Sequence, residues 1–443
     1  MVSRAVAGIA LPPKALPTMK YTFLLALTAA SSVHAGAPDS ASPVTEPAAE
    51  AWIKPTLDIR ARFEYGDYDA PGTTSASAFT LRERVGLVTR DWYGLSVMVE
   101  GEFLQAIGDA YDSAPTPFAT QTTSPNPAKP TTQINDPETN ELNQAYLQYK
   151  GFDTILKAGR QRIVLNNAAF VGNVGWRQNE QTYDALSITN QSIEDLTLFY
   201  AYANRANRIF GSDATGPLRS FAGDIHLFNA GYTGIGDLSL TGYAYLMDFD
   251  ETAANAGYIS NNTYGVIATQ PIGPVTLYGE LAYQTDSSSS PASKPDESYY
   301  AHLTAAYKAG SHTFTLGYEY LDADFVTPLA TVHAFNGFAD AFIGNRLGLA
   351  RNPGLADIYL THATPLPFWG INFNQTLHLF GDNNSDFDYG WEYDAVLAKK
   401  FNENFLAIAK FAYYDAAGPT AGSMANIAPF DTTRFSVELN YHF

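Results

Sequence analysis

Arginines recur beside carboxylates at every second position in neighbouring segments of this 443-residue chain. Asp58, Arg60, Arg62 and Glu64 alternate with Leu57, Ile59, Ala61 and Phe63. Arg82, Arg84 and Arg90 oppose Leu81, Val85 and Leu87, and Glu100, Glu102 and Ser96 oppose Leu95, Val97, Val99 and Phe103. Alternation of period two puts each set on one face of an extended strand. A wall of guanidinium groups next to carboxylates creates a transverse field that can select solutes by charge. The same groups can instead pair with one another and stiffen the wall without meeting solute. Both readings stand on sequence. Glu83 breaks the pattern by falling on the apolar parity, as expected of a residue at a membrane edge or one re-aimed by a bulge.

A second polar concentration runs from Gly159-Arg160-Gln161-Arg162-Ile163 to the stretch Phe170 to Ala185, which contains Trp176, Arg177, Glu180 and Asp184. Arginine suits carboxylate recognition because its planar fork offers paired donors and keeps its charge. A loop folded back into a barrel would present Arg177 to an acidic solute; in a plain surface loop it would pair with Glu180 or Asp184. His226, His302, His312, His333, His362 and His378 lie without metal-site spacing, and no nucleophile elbow, phosphate loop or dinucleotide fingerprint occurs. No catalytic residue, metal or cofactor is therefore expected.

The elements that must hold these residues are strands. From Ile53 onward, period-2 segments of about 9–13 residues recur, the length a tilted strand needs to cross a bilayer. We count eighteen, the first near 53–65 and the last 432–443. Eight short links alternate with nine longer ones, among them 107–140 and 322–354, as an even-stranded barrel with both termini in the periplasm requires. In the last strand Phe435, Val437, Leu439, Tyr441 and Phe443 share one parity and Arg434, Ser436, Glu438, Asn440 and His442 the other. The fold class expected is all-β, a single transmembrane antiparallel β-barrel, closed because open edges are not satisfied in lipid. Trp52, Trp92, Trp176, Trp369 and Trp391, with the many tyrosines, suit interfacial girdles.

Composition agrees. Charged residues are 16% of the chain, with 28 Tyr and 27 Phe, against roughly 25% charged in soluble domains. The net charge of −19 argues against nucleic-acid binding. Zero cysteines excludes disulfides, thiolate nucleophiles and Cys-based zinc sites. At the N-terminus, Lys20, an apolar run from Phe23 to Ala30 and the small-residue pattern ending at Ala35 read as a signal peptide over 1–35, with Met19 the more economical start. Residues 36–52 read as a flexible lead-in and 53–443 as the barrel.

The motif Gly159 to Ile163, the run Val174 to Ala185 and the segment Phe325 to Phe342 resemble the alginate-export family of outer-membrane proteins, over about Ile53 to Phe443. The resemblance implies an eighteen-stranded barrel whose arginine-rich pore passes an anionic uronate polymer, with Arg160, Arg162 and Arg177 as pore groups and Asp184 as their electrostatic partner. Arg60, Arg62, Arg82, Arg84, Glu100 and Glu102 join them as pore-lining from alternation alone. The function expected is an outer-membrane pore for hydrophilic, anionic solutes or polysaccharide. The alternatives are a plugged structural or adhesive barrel and a membrane-embedded hydrolase. The partners expected are outer-membrane lipids, an anionic saccharide or small hydrophilic solute, the barrel-insertion machinery that reads a terminal Phe, and periplasmic export proteins, with the barrel itself a monomer.

Overall fold

The computed structural model describes residues 51–113, 131–250, 259–287, 297–348, 354–383, 389–417 and 430–443. The signal peptide and nearly all of the lead-in lie outside these residues.

Within them the chain forms eighteen strands: β1 (Ile53–Tyr68), β2 (Ala76–Thr89), β3 (Leu95–Ala110), β4 (Thr139–Gly151), β5 (Thr154–Gln161), β6 (Thr182–Ile193), β7 (Leu196–Asn207), β8 (Ser220–Ile235), β9 (Leu238–Phe249), β10 (Asn261–Ile272), β11 (Val275–Asp286), β12 (Glu297–Ala309), β13 (His312–Leu321), β14 (Leu355–Pro365), β15 (Asn372–Gly381), β16 (Gly390–Lys400), β17 (Phe405–Ala416) and β18 (Thr432–His442). Each pairs antiparallel with its sequence neighbours, and β1 pairs with β18 from Asp58–His442 to Tyr68–Thr432, so the sheet closes without an edge. Closure satisfies every backbone ladder, the condition for strands in lipid. The eighteen-stranded all-β barrel expected from alternation is the observed fold.

The tight turns fall where the sequence places them, at the end of the barrel where β1 begins and β18 ends, and the longer connections leave from the other. Along β18, Phe435, Val437 and Leu439 are 38%, 43% and 46% exposed while Ser436 and Glu438 are buried, so the apolar parity faces outward, toward lipid. The same outward set continues through Leu57, Val85, Val97, Leu147, Leu281, Leu303, Leu316, Leu360 and Leu377. Trp52, Trp92, Trp369 and Trp391 are exposed at strand ends, as girdle residues are. Trp176 and much of the tyrosine set are not: Tyr243, Tyr245, Tyr278, Tyr300, Tyr359 and Tyr414 point inward and are buried. Glu83 sits near the middle of β2, on the outer face between Ile59 and Phe103. The bulge in the β2–β3 ladder lies at Phe79/Thr80 and does not re-aim it.

The interior is not empty. β5 has only 8 residues against 16 in β3, so the chain leaves the wall low and the following loop, L3 (162–181), falls into the barrel. L7, described over 322–348, enters from the opposite side and carries the short helix α1 (Ile343–Arg346). Phe170 and Val171 of L3, Phe325 and Leu329 of L7 and the inward Tyr243, Tyr245, Tyr278, Tyr300 and Tyr414 form one apolar cluster. Phe170 alone lies 5.1 Å from Tyr300 and 5.8 Å from Phe325, ring to ring.

Candidate pore constriction

Alternation aims Arg60, Arg62, Arg82, Arg84, Glu100 and Glu102 into the barrel, where they meet the tip of L3 instead of open water. Arg60 donates to the carbonyls of Gly175, Trp176 and Arg177 at 3.0–3.1 Å. Arg62 also donates to the Trp176 carbonyl, and Arg82 and Arg84 to that of Gln178. Gln178 returns a bond to Thr80 Oγ1 at 2.8 Å, and its backbone N–H donates to Asp136 Oδ1 at 2.9 Å. A loop without its own ladder must find partners for its backbone, and here the arginine wall supplies donors to four successive carbonyls.

Charge is balanced within this wall. Arg62 contacts Glu438 at 2.6 Å and Asp136 at 3.5 Å. Arg82 pairs with Asp58 and Arg84 with Glu102, the latter also 3.6 Å from Glu180. Arg162 bridges Glu180 at 2.5 Å and Glu100 at 2.9 Å. Arg434 reaches Glu64 at 3.3 Å, and Arg60 lies 3.9 Å from Glu438. Burial would raise the pKa of Glu180, but Arg84 and Arg162, with amides from Asn143 and Asn173, pull it down to about 2. Solvent exposure survives at few of these groups: Arg162 keeps 34% of its side chain accessible, Arg434 16% and Arg60 14%, whereas Arg62, Arg82 and Arg84 are almost wholly enclosed.

Arg177 is the hinge of the arrangement. It does not pair with Glu180 or Asp184; it crosses to Glu64 on β1 at 3.0 Å and to Asp340 on L7 at 3.4 Å. Burial disfavours its charge, yet Glu64, Asp136 and Asp340 together raise its pKa. Asp340 also accepts from His333 at 2.7 Å, and His333 stacks on Trp176. The backbones of the loops join too: Gly172 N–H donates to Leu329 at 2.9 Å and Thr331 N–H to Ala168 at 3.0 Å. L3 and L7 are one hydrogen-bonded unit lying across the lumen.

Arg160 and Asp184 stand elsewhere. They pair with each other at 2.7 Å, opposite one another in the β5–β6 ladder and on the parity of Leu156, Leu186 and Ile188, which are 37%, 56% and 36% exposed. That is the outer face, near the loop end of two short strands. Their assignment to the pore came from a motif and not from alternation; Tyr183 and Gln161, one residue away, are the inward-facing neighbours.

The opposite wall is acidic and aromatic, and alternation had not singled it out. Glu280 accepts from Tyr278 at 2.6 Å, Tyr243 at 2.7 Å and Asn167 of L3 at 3.2 Å. Glu319 holds Arg346 of α1 at 2.9 Å and Asn336 at 2.8 Å. Asp394 and Glu392 accept the backbone N–H groups of Phe338 and Ala339 at 3.1 and 2.6 Å. L7 is thus latched to carboxylates on β13 and β16 as L3 is to arginines on β1 and β2. Among the described residues no cluster of three or more His, Asp or Glu side chains is placed to hold a metal ion.

An eighteen-stranded barrel with an apolar outer belt and a loop-narrowed polar lumen is an outer-membrane β-barrel. No protein-family model and no curated protein matches the sequence, so the resemblance to the alginate-export family has no family match behind it. Solved structures do share the fold. The outer membrane protein opdK from Pseudomonas aeruginosa aligns with a TM-score of 0.61 at 13% identity, over 88% of this chain and 99% of that one. OccAB2 from Acinetobacter baumannii gives 0.61 at 17%, over 88% and 98%. Pseudomonas aeruginosa OpdK with vanillate gives 0.63 at 12%, over 88% and 99%. At these identities the likeness is one of fold.

Proposed function

We propose that the protein is an outer-membrane channel for small hydrophilic solutes, narrowed by L3 and L7. The observation that carries this is the pairing of two inward loops, joined to each other and each fixed to a charged wall. A constriction of that kind admits solute by size and by the field between its walls.

Anionic solutes fit the arginine side best. Arg162, Arg434 and Arg60 retain accessible side-chain surface, and vanillate, held by one protein of the same fold, is a small carboxylate. A uronate polymer, with periplasmic export proteins behind it, is the extended version; it requires L3 and L7 to part, since the joined loops cross the path a chain would take. The burial of Arg62, Arg82 and Arg84 under L3, and of Arg177 within it, favours a second reading, a structural barrel whose lumen is plugged.

Liposome swelling separates these. Vesicles containing the refolded protein are expected to swell in glucose-sized neutral sugars and faster in the matching uronate. No swelling in any solute would leave the plugged barrel. Swelling without preference for the uronate would remove the anionic assignment.

A further inference from the structure

Beneath L7, on the acidic wall, lies a cavity of about 70 Å3 lined by His302, Glu319, Asp357, Asn374, His378 and Asp394 among others. That volume holds roughly five waters at about 15 Å3 each. Gly337 and Phe338 roof it, and Thr361 and Thr376 line it toward the turn end of the barrel. We infer that this cavity binds a primary ammonium group, and so gives the channel a subsite for solutes that carry one. As a subsite met by permeating solute it rests on the channel reading; as a binding site it does not.

Three polar atoms on the lining side chains lack partners. His302 Nδ1, Asn374 Oδ1 and Asp394 Oδ1 are enclosed without a hydrogen bond, on residues only 3%, 5% and 2% exposed. A buried polar atom left unpaired is costly, and native structures leave few of them. His302 Nε2 is already engaged with Tyr359 at 2.8 Å; in the tautomer where Nε2–H donates, Nδ1 is an acceptor. Asn374 Oδ1 and Asp394 Oδ1 are acceptors as well. An ammonium group offers three N–H donors and no acceptor.

Charge points the same way. Glu319, Asp357, Glu392 and Asp394 face this region. Arg346 is bound to Glu319 at 2.9 Å, and His378 lies 3.0 Å from Asp357 and 3.6 Å from Asp394. Lys410 of β17 is the third cation whose field reaches Asp394. Even with His378 charged, one carboxylate lacks a counter-ion, and a buried carboxylate without one is strongly disfavoured. A single monovalent cation with N–H donors completes both the charge and the hydrogen bonds.

The test is isothermal calorimetry of methylammonium chloride into the refolded full-length barrel in detergent at pH 7. Saturable binding is expected, with no binding by tetramethylammonium, which has no N–H, and no displacement by an equal concentration of sodium. Asn374→Leu removes one acceptor and fills space without touching the L7 latch, and is expected to weaken binding at least tenfold; Asn374→Ser serves if the leucine variant does not fold. Absence of saturable methylammonium binding overturns the inference. So does equal binding of tetramethylammonium or sodium, or unchanged affinity in the Asn374 variants. A barrel that binds methylammonium but passes no solute fails the channel reading alone, and one that passes solute without binding methylammonium fails this inference alone.

Discussion

The indole of Trp176 lies flat on the imidazole of His333, ring centroids 3.3 Å apart and planes 12° from parallel. Trp176 belongs to L3 and His333 to L7, so the two loops meet face to face, beside Glu64, Lys410 and Arg434 of the barrel wall. Around the stack, the guanidinium carbons of Arg177 and Arg62 lie 3.9 and 5.0 Å from the indole centroid and Lys410 Nζ 5.2 Å. Cations over an indole face are attracted to it, more so where water is excluded. Whatever loosens one loop loosens the other.

Removing Arg177 tests that coupling. Arg177→Ala leaves Glu64, Asp136 and Asp340 facing one another without their shared cation, a loss of about 3–5 kcal/mol for a buried pair broken on one side. L3 is expected to undock. Since the chain has no cysteine, a single Ala169→Cys probe, at a fully buried L3 position, should be labelled at least a hundredfold faster in the Arg177→Ala background. Unchanged labelling would mean that the apolar cluster alone holds L3.

Acid should weaken the same contact. Burial, helped by Lys410 and Arg177 and opposed by Asp340, pushes the His333 pKa down to about 3, against about 6.5 for a free histidine. Between those values undocked His333 binds a proton that the docked ring refuses, so docking loses up to about tenfold per pH unit as pH falls from about 6.5. Asp340, held at about 2 by His333, Arg434 and Arg177 against its burial, adds to the loss only below pH ~4. Labelling of the Ala169→Cys probe, taken relative to a free thiol at the same pH because only the thiolate reacts, should therefore rise from pH 7 to pH 4, and His333→Phe should flatten the profile.

How much of this was legible beforehand differs between wall and lumen. Strand number, turn positions and the inward set on β1, β2 and β18 follow from period-2 alternation, because lipid on one side and polar groups on the other impose it residue by residue. The bulges between Glu100 and Gly101 and between Asp184 and Ala185 shift register without changing the strand count. Arg160 and Asp184 were drawn from a motif, which carries no face, and went to the wrong side. The descent of L3 and L7 has no periodic signature. Its cause is the shortness of β5 together with charges supplied by distant strands: Arg177 finds Glu64, 113 residues away. The inward tyrosines were hidden because a buried Tyr and a girdle Tyr look alike in composition.

L7 has its own weak point. Gly337 holds a φ of +85°, and a Cβ there would stand 2.3 Å from the Glu392 carboxyl group. Gly337→Ala is expected to lift the Phe338 and Ala339 N–H groups from Asp394 and Glu392, at about 2 kcal/mol or more for the left-handed backbone and the lost charged hydrogen bonds. A cysteine at the buried position Ala330 should become reactive, and one at Ala169 should follow it if the loops move as one.

The outer belt predicts an assembly defect. Leu439 faces outward in β18 at 46% exposure, and Leu439→Arg should cost about 2–4 kcal/mol if the site lies near the bilayer midplane. The folded fraction in phospholipid vesicles, read as the heat-modifiable band on a gel, should fall accordingly. A folded fraction equal to wild type would place Leu439 out of the hydrocarbon.

Single-channel recording in planar bilayers tests the central claim most directly. The wild-type protein should show steady conductance, and a variant with residues 167–176 of L3 replaced by a short Gly-Ser linker should conduct severalfold more, because the joined loops narrow the path. Absence of steady conductance in both proteins, or the same conductance in both, would contradict a channel constricted by L3 and L7.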